Sequence, residues 1–89
     1  MSKNNETHFT VYTKPACVQC DATKRRITQL GGTYDDIDLT APENIEALEE
    51  FKASGALQAP VVVGPDGLQW AGFRQDLIKG YFHNRKEAA

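Results

Sequence analysis

Phe9-Thr10-Val11-Tyr12-Thr13-Lys14-Pro15-Ala16-Cys17-Val18-Gln19-Cys20 is the stretch that decides the fold: an apolar run, a proline turn, and the chain's only two cysteines where a helical pattern begins. Strand, turn and helix in that order form the opening of a βαβ unit. A C-x-x-C at such a turn in a small chain reads as dithiol–disulfide exchange chemistry. The helix that starts there aims its free N–H groups and positive dipole end at the first sulfur, which favours thiolate over thiol. An unperturbed thiol with a pKa of about 8.5 is roughly 3% ionised at pH 7, whereas one at about 7 is half ionised. Position therefore makes Cys17 the expected nucleophile, exposed at the turn. Cys20, one helical turn on, is expected to be shielded and to resolve the mixed disulfide.

Downstream, the helical pattern of residues 18–30 puts Cys20, Ile27 and Leu30 on one stripe, and Gly31-Gly32 ends it. Residues 34–39 alternate Asp35, Ile37 and Leu39 against Tyr34, Asp36 and Asp38, as in a strand less buried than its neighbours. Thr40-Ala41-Pro42-Glu43 has the spacing of a capping box, and Ile45, Leu48 and Phe51 then supply an apolar helix face before Gly55. Pro60-Val61-Val62-Val63 and Leu68-Gln69-Trp70-Ala71 flank the turn signal Gly64-Pro65-Asp66-Gly67 and predict a hairpin. A last helix over residues 74–84 buries Leu77, Ile78, Tyr81 and Phe82, weakened by up to about 1 kcal/mol at Gly80. The order βαβ, α, ββα with a right-handed crossover gives an α/β protein: a four-stranded mixed sheet with helices on both faces, the thioredoxin fold. The expected organisation is a flexible N-terminal tail over residues 1–8, one domain over 9–86 and a C-terminal tail over 87–89.

A chain of 89 residues buries somewhat over about 60% of its unfolded surface, enough for one modest core. Its 10 Lys and Arg against 12 Asp and Glu, net −2, argue against a nucleic-acid module. Lys24-Arg25-Arg26 and Arg85-Lys86 read as solvated helix faces. No apolar run approaches the ~18 residues of a membrane span, and the polar start lacks a secretory signal, so the expected compartment is the reducing cytoplasm and the expected state a monomer. There a structural disulfide is out of place, and one closing so small a loop removes little unfolded-state entropy. Zinc needs four ligands, and the spacing of His8 and His83 from the cysteines matches no zinc pattern. Alternation splits Asp35, Asp36 and Asp38 between two faces, which suits solubility rather than a metal. Lys14 can add positive potential beside Cys17 or simply be solvated, and Trp70 reads as core or edge packing whose indole N–H needs a partner if buried. Pro60 reads as a trans strand-opener, cis being the minority form.

Thr13-Lys14-Pro15-Ala16-Cys17-Val18-Gln19-Cys20, Gln58-Ala59-Pro60-Val61-Val62-Val63 and Trp70-Ala71-Gly72-Phe73-Arg74, in this order, resemble the NrdH-redoxins. The resemblance runs from about Phe9 to Ile78. It implies a glutaredoxin-sized dithiol oxidoreductase that behaves like a thioredoxin, with no bound cofactor. Such a protein donates electrons to class Ib ribonucleotide reductase and is re-reduced by NADPH through thioredoxin reductase. It also implies a cis Ala59–Pro60 peptide facing the dithiol, backbone pairing of Ala59 with the substrate segment, and a partner surface drawn from Lys14, Val18, Gln19, Ala59, Pro60, Trp70, Gly72, Phe73 and Arg74. Where glutathione-dependent glutaredoxins hold the tripeptide with Gly-Gly and paired acidic residues, this chain has Trp70 to Asp76, similar to the family's Trp-Ser-Gly-Phe-Arg-Pro segment. Ala71 and Gln75 depart from its serine and proline, so a hydroxyl brace for the loop is missing, and Val11 stands where many thioredoxins bury an aspartate. Two other readings are a glutathione-coupled glutaredoxin, disfavoured by the missing acidic pair, and a redox-silent adaptor, which would work without its cysteines.

Overall fold

In the computed structural model, residues 7–55 and 58–88 are described, with side chains as far as Phe82. The elements are β1 (His8–Thr13), α1 (Val18–Gln29), β2 (Thr33–Asp38), a 3₁₀ turn (Pro42–Asn44), α2 (Ile45–Ser54), β3 (Val61–Val63), β4 (Gln69–Ala71) and α3 (Gln75–Ala88). The sheet order is β2-β1-β3-β4. β1 and β2 are parallel, and the other two pairings are antiparallel. This is the mixed βαβ-α-ββα sheet that the sequence predicts.

The period-two pattern of β1 builds both layers. Phe9 and Val11 point to one face and join Ile27 of α1, Val62, Trp70, and Ile78 and Phe82 of α3 in one core. Phe9 is the hub, its ring centroid 5.4 Å from Tyr81, 6.1 Å from Phe82 and 6.5 Å from Trp70. On the opposite face Tyr12 meets Phe51 of α2 edge to face at 4.9 Å. Register carries the core across the sheet, Val11 opposite Val62 and Val62 opposite Trp70.

Several boundaries differ from the sequence reading. β1 begins at His8, and Thr7 is buried, so the inner end of the expected 1–8 tail is part of the domain; residues 1–6 lie outside the described residues. α3 runs on to Ala88, through most of the expected 87–89 tail. The side chains of His83, Arg85 and Lys86 lie outside the described residues. The capping box does not form: Ala41 precedes the 3₁₀ turn, and the Thr40 hydroxyl donates to Asp38 at 2.7 Å. Pro42 sits at the turn's first position, where its missing N–H costs least, and the 3₁₀ turn leads into α2. Thr23, absent from the expected stripe, is fully buried between Cys20 and Ile27. Its hydroxyl donates to the Gln19 carbonyl at 2.8 Å, and this local bond lets a polar residue sit in the core.

α1, which carries the dithiol, is pinned at two points. Its end is a Schellman closure, Gly32 N–H to Ile27 O at 2.9 Å and Gly31 N–H to Thr28 O at 3.0 Å, with Gly31 at φ 94. Midway along, Lys24 Nζ donates to Asp36 Oδ2 at 2.8 Å while Thr13 Oγ1 donates to Asp36 Oδ1 at 2.6 Å. Burial opposes ionisation of Asp36, but the Lys24 and Thr13 hydrogen bonds prevail and hold its carboxyl below the usual range. The Asp36 hydrogen bond raises Lys24, against a smaller effect of burial.

A carboxyl whose folded pKa is depressed stabilises the fold above its unfolded value, near 3.8, and that contribution disappears as pH falls through the folded value. Asp36→Asn should therefore lower stability at pH 7 by at most about 1 kcal/mol, the range of a partly solvated ion pair. The difference from the unmodified protein should vanish by about pH 2. Urea unfolding at both pH values checks this, and an equal penalty at both would refute the ionic origin.

Candidate active site at the start of α1

The turn into α1 is set by Ala16, which has φ 55, a left-handed conformation costly for any residue with a Cβ. That turn swings Cys17 into an extended N-cap conformation, φ −114 and ψ 105. Its Sγ accepts the Cys20 N–H at 3.1 Å, and its carbonyl accepts the Asp21 N–H at 3.1 Å. The sulfur thus occupies the place a serine or aspartate oxygen would fill, in the positive field of the helix end. Cys17 and Cys20 are joined as a disulfide, their Cα atoms 5.2 Å apart.

Cys17 is not the freely exposed residue that its place in a turn suggests. It retains 9% of its surface and Cys20 1%. The cover comes from the turn before β3, where Ala59–Pro60 is cis, as the resemblance implies, and the Ala59 carbonyl oxygen lies 3.9 Å from Cys17 Sγ. The predicted asymmetry between the sulfurs survives in smaller measure.

One groove opens at Cys17, and a second lies beyond Lys14 and Ala59. The first is polar, lined by Thr13, Lys14, Cys17, Asp21, Lys24 and Asp36. The second, apolar and of about 160 Å³, has Leu39, Leu48, Phe51 and Val61 in its walls and Lys14, Lys52 and Ala59 along it. Lys14 borders both. By sequence pattern Asp36 reads as a surface solubility residue, and Thr13 and Lys24 have no expected place in the site. A threonine closing β1 and a lysine seven residues after Cys17 were the available signals. Among the described residues, no group of three or more His, Cys, Asp and Glu is arranged to hold a metal ion.

The third wall is the loop from β4 to α3. Gly72 N–H donates to the Pro60 carbonyl at 2.7 Å, and Phe73 N–H donates to Gln19 Oε1 at 3.1 Å. Arg74 closes a two-pronged contact on Asp76, at 3.3 and 3.1 Å, so the cationic edge expected there is neutralised by the first turn of α3. Gly72 has φ 87, and a Cβ on it would come 3.1 Å from Gln58 Oε1. Of the residues expected at the partner surface, Lys14, Val18, Gln19 and Arg74 are exposed, Ala59 and Phe73 half-buried, and Pro60 and Gly72 buried. Trp70 takes the packing role, and its expected place at the partner surface is a correction: the register that sets it opposite Val62 turns it into the core, 8% exposed, and its Nε1 finds no hydrogen-bond partner among the described residues. Val18, beside Cys17, is 82% exposed.

A glutaredoxin family profile matches residues 9–67. Over 71 residues the chain is 46% identical to the glutaredoxin-like protein NrdH of Escherichia coli strain K12, spanning 79% of this chain and 83% of that one. The chain belongs to the NrdH-redoxins. Its backbone matches the solved NrdH-redoxin of Escherichia coli with a TM-score of 0.71 at 42% identity, covering 81% of this chain and 91% of that one. A glutaredoxin from Methanosarcina mazei Go1 follows with a TM-score of 0.69 at 25% identity, covering 86% and 79%. With these relatives and its cysteine pair, the protein is a thiol–disulfide oxidoreductase of glutaredoxin type on a thioredoxin fold.

Because Ala16 is held at positive φ, Ala16→Gly should stabilise the protein by up to about 1 kcal/mol, despite the larger unfolded-state freedom of glycine. In a domain this size that is a rise in Tm of roughly 4–8 °C. Thermal unfolding of the oxidised protein measures it, and a fall in Tm would contradict the strain.

Proposed function

We propose that this protein is a cytoplasmic dithiol carrier that donates electrons to class Ib ribonucleotide reductase and is recharged from NADPH by thioredoxin reductase. It needs no bound cofactor, because the Cys17–Cys20 pair itself holds the two electrons. One observation carries the choice of protein partners over glutathione: the loop amides are already used. The N–H groups of Gly72 and Phe73 are spent on Pro60 O and Gln19 Oε1, and the paired acidic residues of a tripeptide clamp are replaced by Phe73-Arg74-Gln75-Asp76. A tripeptide carboxylate brought there would have to displace bonds the protein makes to itself. Beside the polar groove at Cys17, the surface offers exposed Val18, half-buried Ala59 and Phe73, and the apolar groove lined by Ala59. Such a surface suits another chain's backbone and apolar side chains. The solved Escherichia coli relative, described as having a thioredoxin-like activity profile, supports the same reading.

The chemistry follows from the cap. In the reduced protein the Cys17 thiolate attacks one sulfur of a partner disulfide, forming a mixed disulfide and releasing the other partner sulfur as thiolate. Cys20 then loses its proton to water or to the released thiolate and attacks Cys17 Sγ, displacing the second partner sulfur. The partner gains two electrons and the Cys17–Cys20 disulfide re-forms. The α1 N-terminus stabilises negative charge on Cys17 whenever it serves as nucleophile or leaving group.

Reduced protein alkylated across pH should lose Cys17 first, with an apparent pKa below the free-thiol value of about 8.5. Cys20→Ser should accumulate mixed disulfides with its partner while Cys17→Ser captures none. Equal trapping by the two variants would show that the roles are not divided.

For the electron source, NADPH with thioredoxin reductase should reduce the Cys17–Cys20 disulfide at least tenfold faster than glutathione with glutathione reductase. Comparable turnover by glutathione would replace this reading with the glutaredoxin one.

A further inference from the structure

Gln19, between the two cysteines, is exposed at the start of α1, yet its side chain is not free. Its Oε1 accepts the Phe73 N–H at 3.1 Å across a separation of 54 residues. The same oxygen lies 3.4 Å from where a Gly72 Cβ would stand. Ala71 has no side-chain hydrogen-bonding group, and Arg74 is turned to Asp76 in the first turn of α3. Among the described residues, the loop is held against the site by two bonds, Gly72 N–H to the Pro60 carbonyl and Phe73 N–H to Gln19. The first fixes the loop to the proline turn. The second fixes it to the helix that carries the sulfurs.

We propose that Gln19 is a positioning residue that makes the site selective for disulfides carried by proteins. It holds the Gly72–Phe73 backbone at a set height beside Cys17, so that a partner segment meets Val18, the Ala59 turn and Phe73 as one surface. A small disulfide touches only the sulfurs and gains nothing from that arrangement. A protein disulfide must lie across both turn and loop, so losing the tie costs it binding to a preorganised surface. The proposal rests on the thiol–disulfide exchange of Cys17 and not on which reductase recharges the protein.

The test compares second-order rate constants for oxidation of the reduced protein by insulin and by bis-hydroxyethyl disulfide. Taking the ratio cancels any change in the nucleophilicity of Cys17. In Gln19→Leu the insulin-to-small-disulfide ratio should fall about five- to tenfold, the worth of one neutral hydrogen bond. Gln19→Glu, which keeps an acceptor oxygen at the same reach, should stay within about twofold of the unmodified ratio, although its charge slows both reactions. Amide hydrogen exchange at Phe73 should accelerate in Gln19→Leu and remain slow in Gln19→Glu. An unchanged ratio in Gln19→Leu, a loss in Gln19→Glu as large as in Gln19→Leu, or Phe73 exchange indifferent to both substitutions would each overturn the proposal.

Discussion

A sulfur caps a helix in this protein, and the site is arranged around that bond. The Cys20 N–H to Cys17 Sγ contact fixes where α1 begins and which sulfur faces outward. It also places the group that must carry negative charge where the helix field welcomes it. Ala16 takes an unfavourable backbone angle to bring the cap into place, and the Lys24–Asp36–Thr13 clip and the glycine closure keep the helix from shifting along the sheet. Conformational strain in the turn and ordinary packing behind it thus act in opposite directions, the usual arrangement at a reactive centre.

The proline turn and the β4–α3 loop are joined to that centre through the backbone. Pro60 gives its carbonyl to Gly72, and Gln19 gives its side-chain oxygen to Phe73, so three segments far apart in sequence share one small region around Gly72. These bonds use the donors that a small anionic ligand would need, while leaving Val18 and the apolar groove open. Arg74 and Asp76, paired with each other, contribute little net field there.

The architecture was legible because local signals agreed with one another. The β-branched and aromatic strands, the Gly31-Gly32 stop and the Gly64 to Gly67 turn each marked an element that the structure contains, and the order of elements left little freedom of topology. What escaped was non-local. The cover over Cys17 comes from Ala59, which strand and helix patterns do not show and only the family resemblance implies, and the register with Val62 is what settles Trp70 in the core rather than at the partner surface. Thr23 escaped because burial of a hydroxyl depends on a bond to the Gln19 carbonyl one turn back, and the Thr40 capping pattern failed because its hydroxyl is taken by Asp38 and the 3₁₀ turn starts after Ala41. Gln19 was legible as a residue between the cysteines, but its bond to Phe73 was not. Nothing in a sequence announces a hydrogen bond across 54 residues.

The outer strand β2 reads Thr-Tyr-Asp-Asp-Ile-Asp and pairs with β1 on one side, leaving its other side at the margin of the sheet. Exposed sheet margins invite pairing with other chains, because their row of unpaired backbone groups is a template for contacts in the wrong place. Asp36 is tied to Lys24 and Thr13, but Asp35 and Asp38 stand exposed along that margin, so two copies meeting side by side would bring carboxylates together. The strand that contributes least to the core thereby acts as a fence, turning encounters away from the flank and leaving them to the end of the sheet where the sulfurs are.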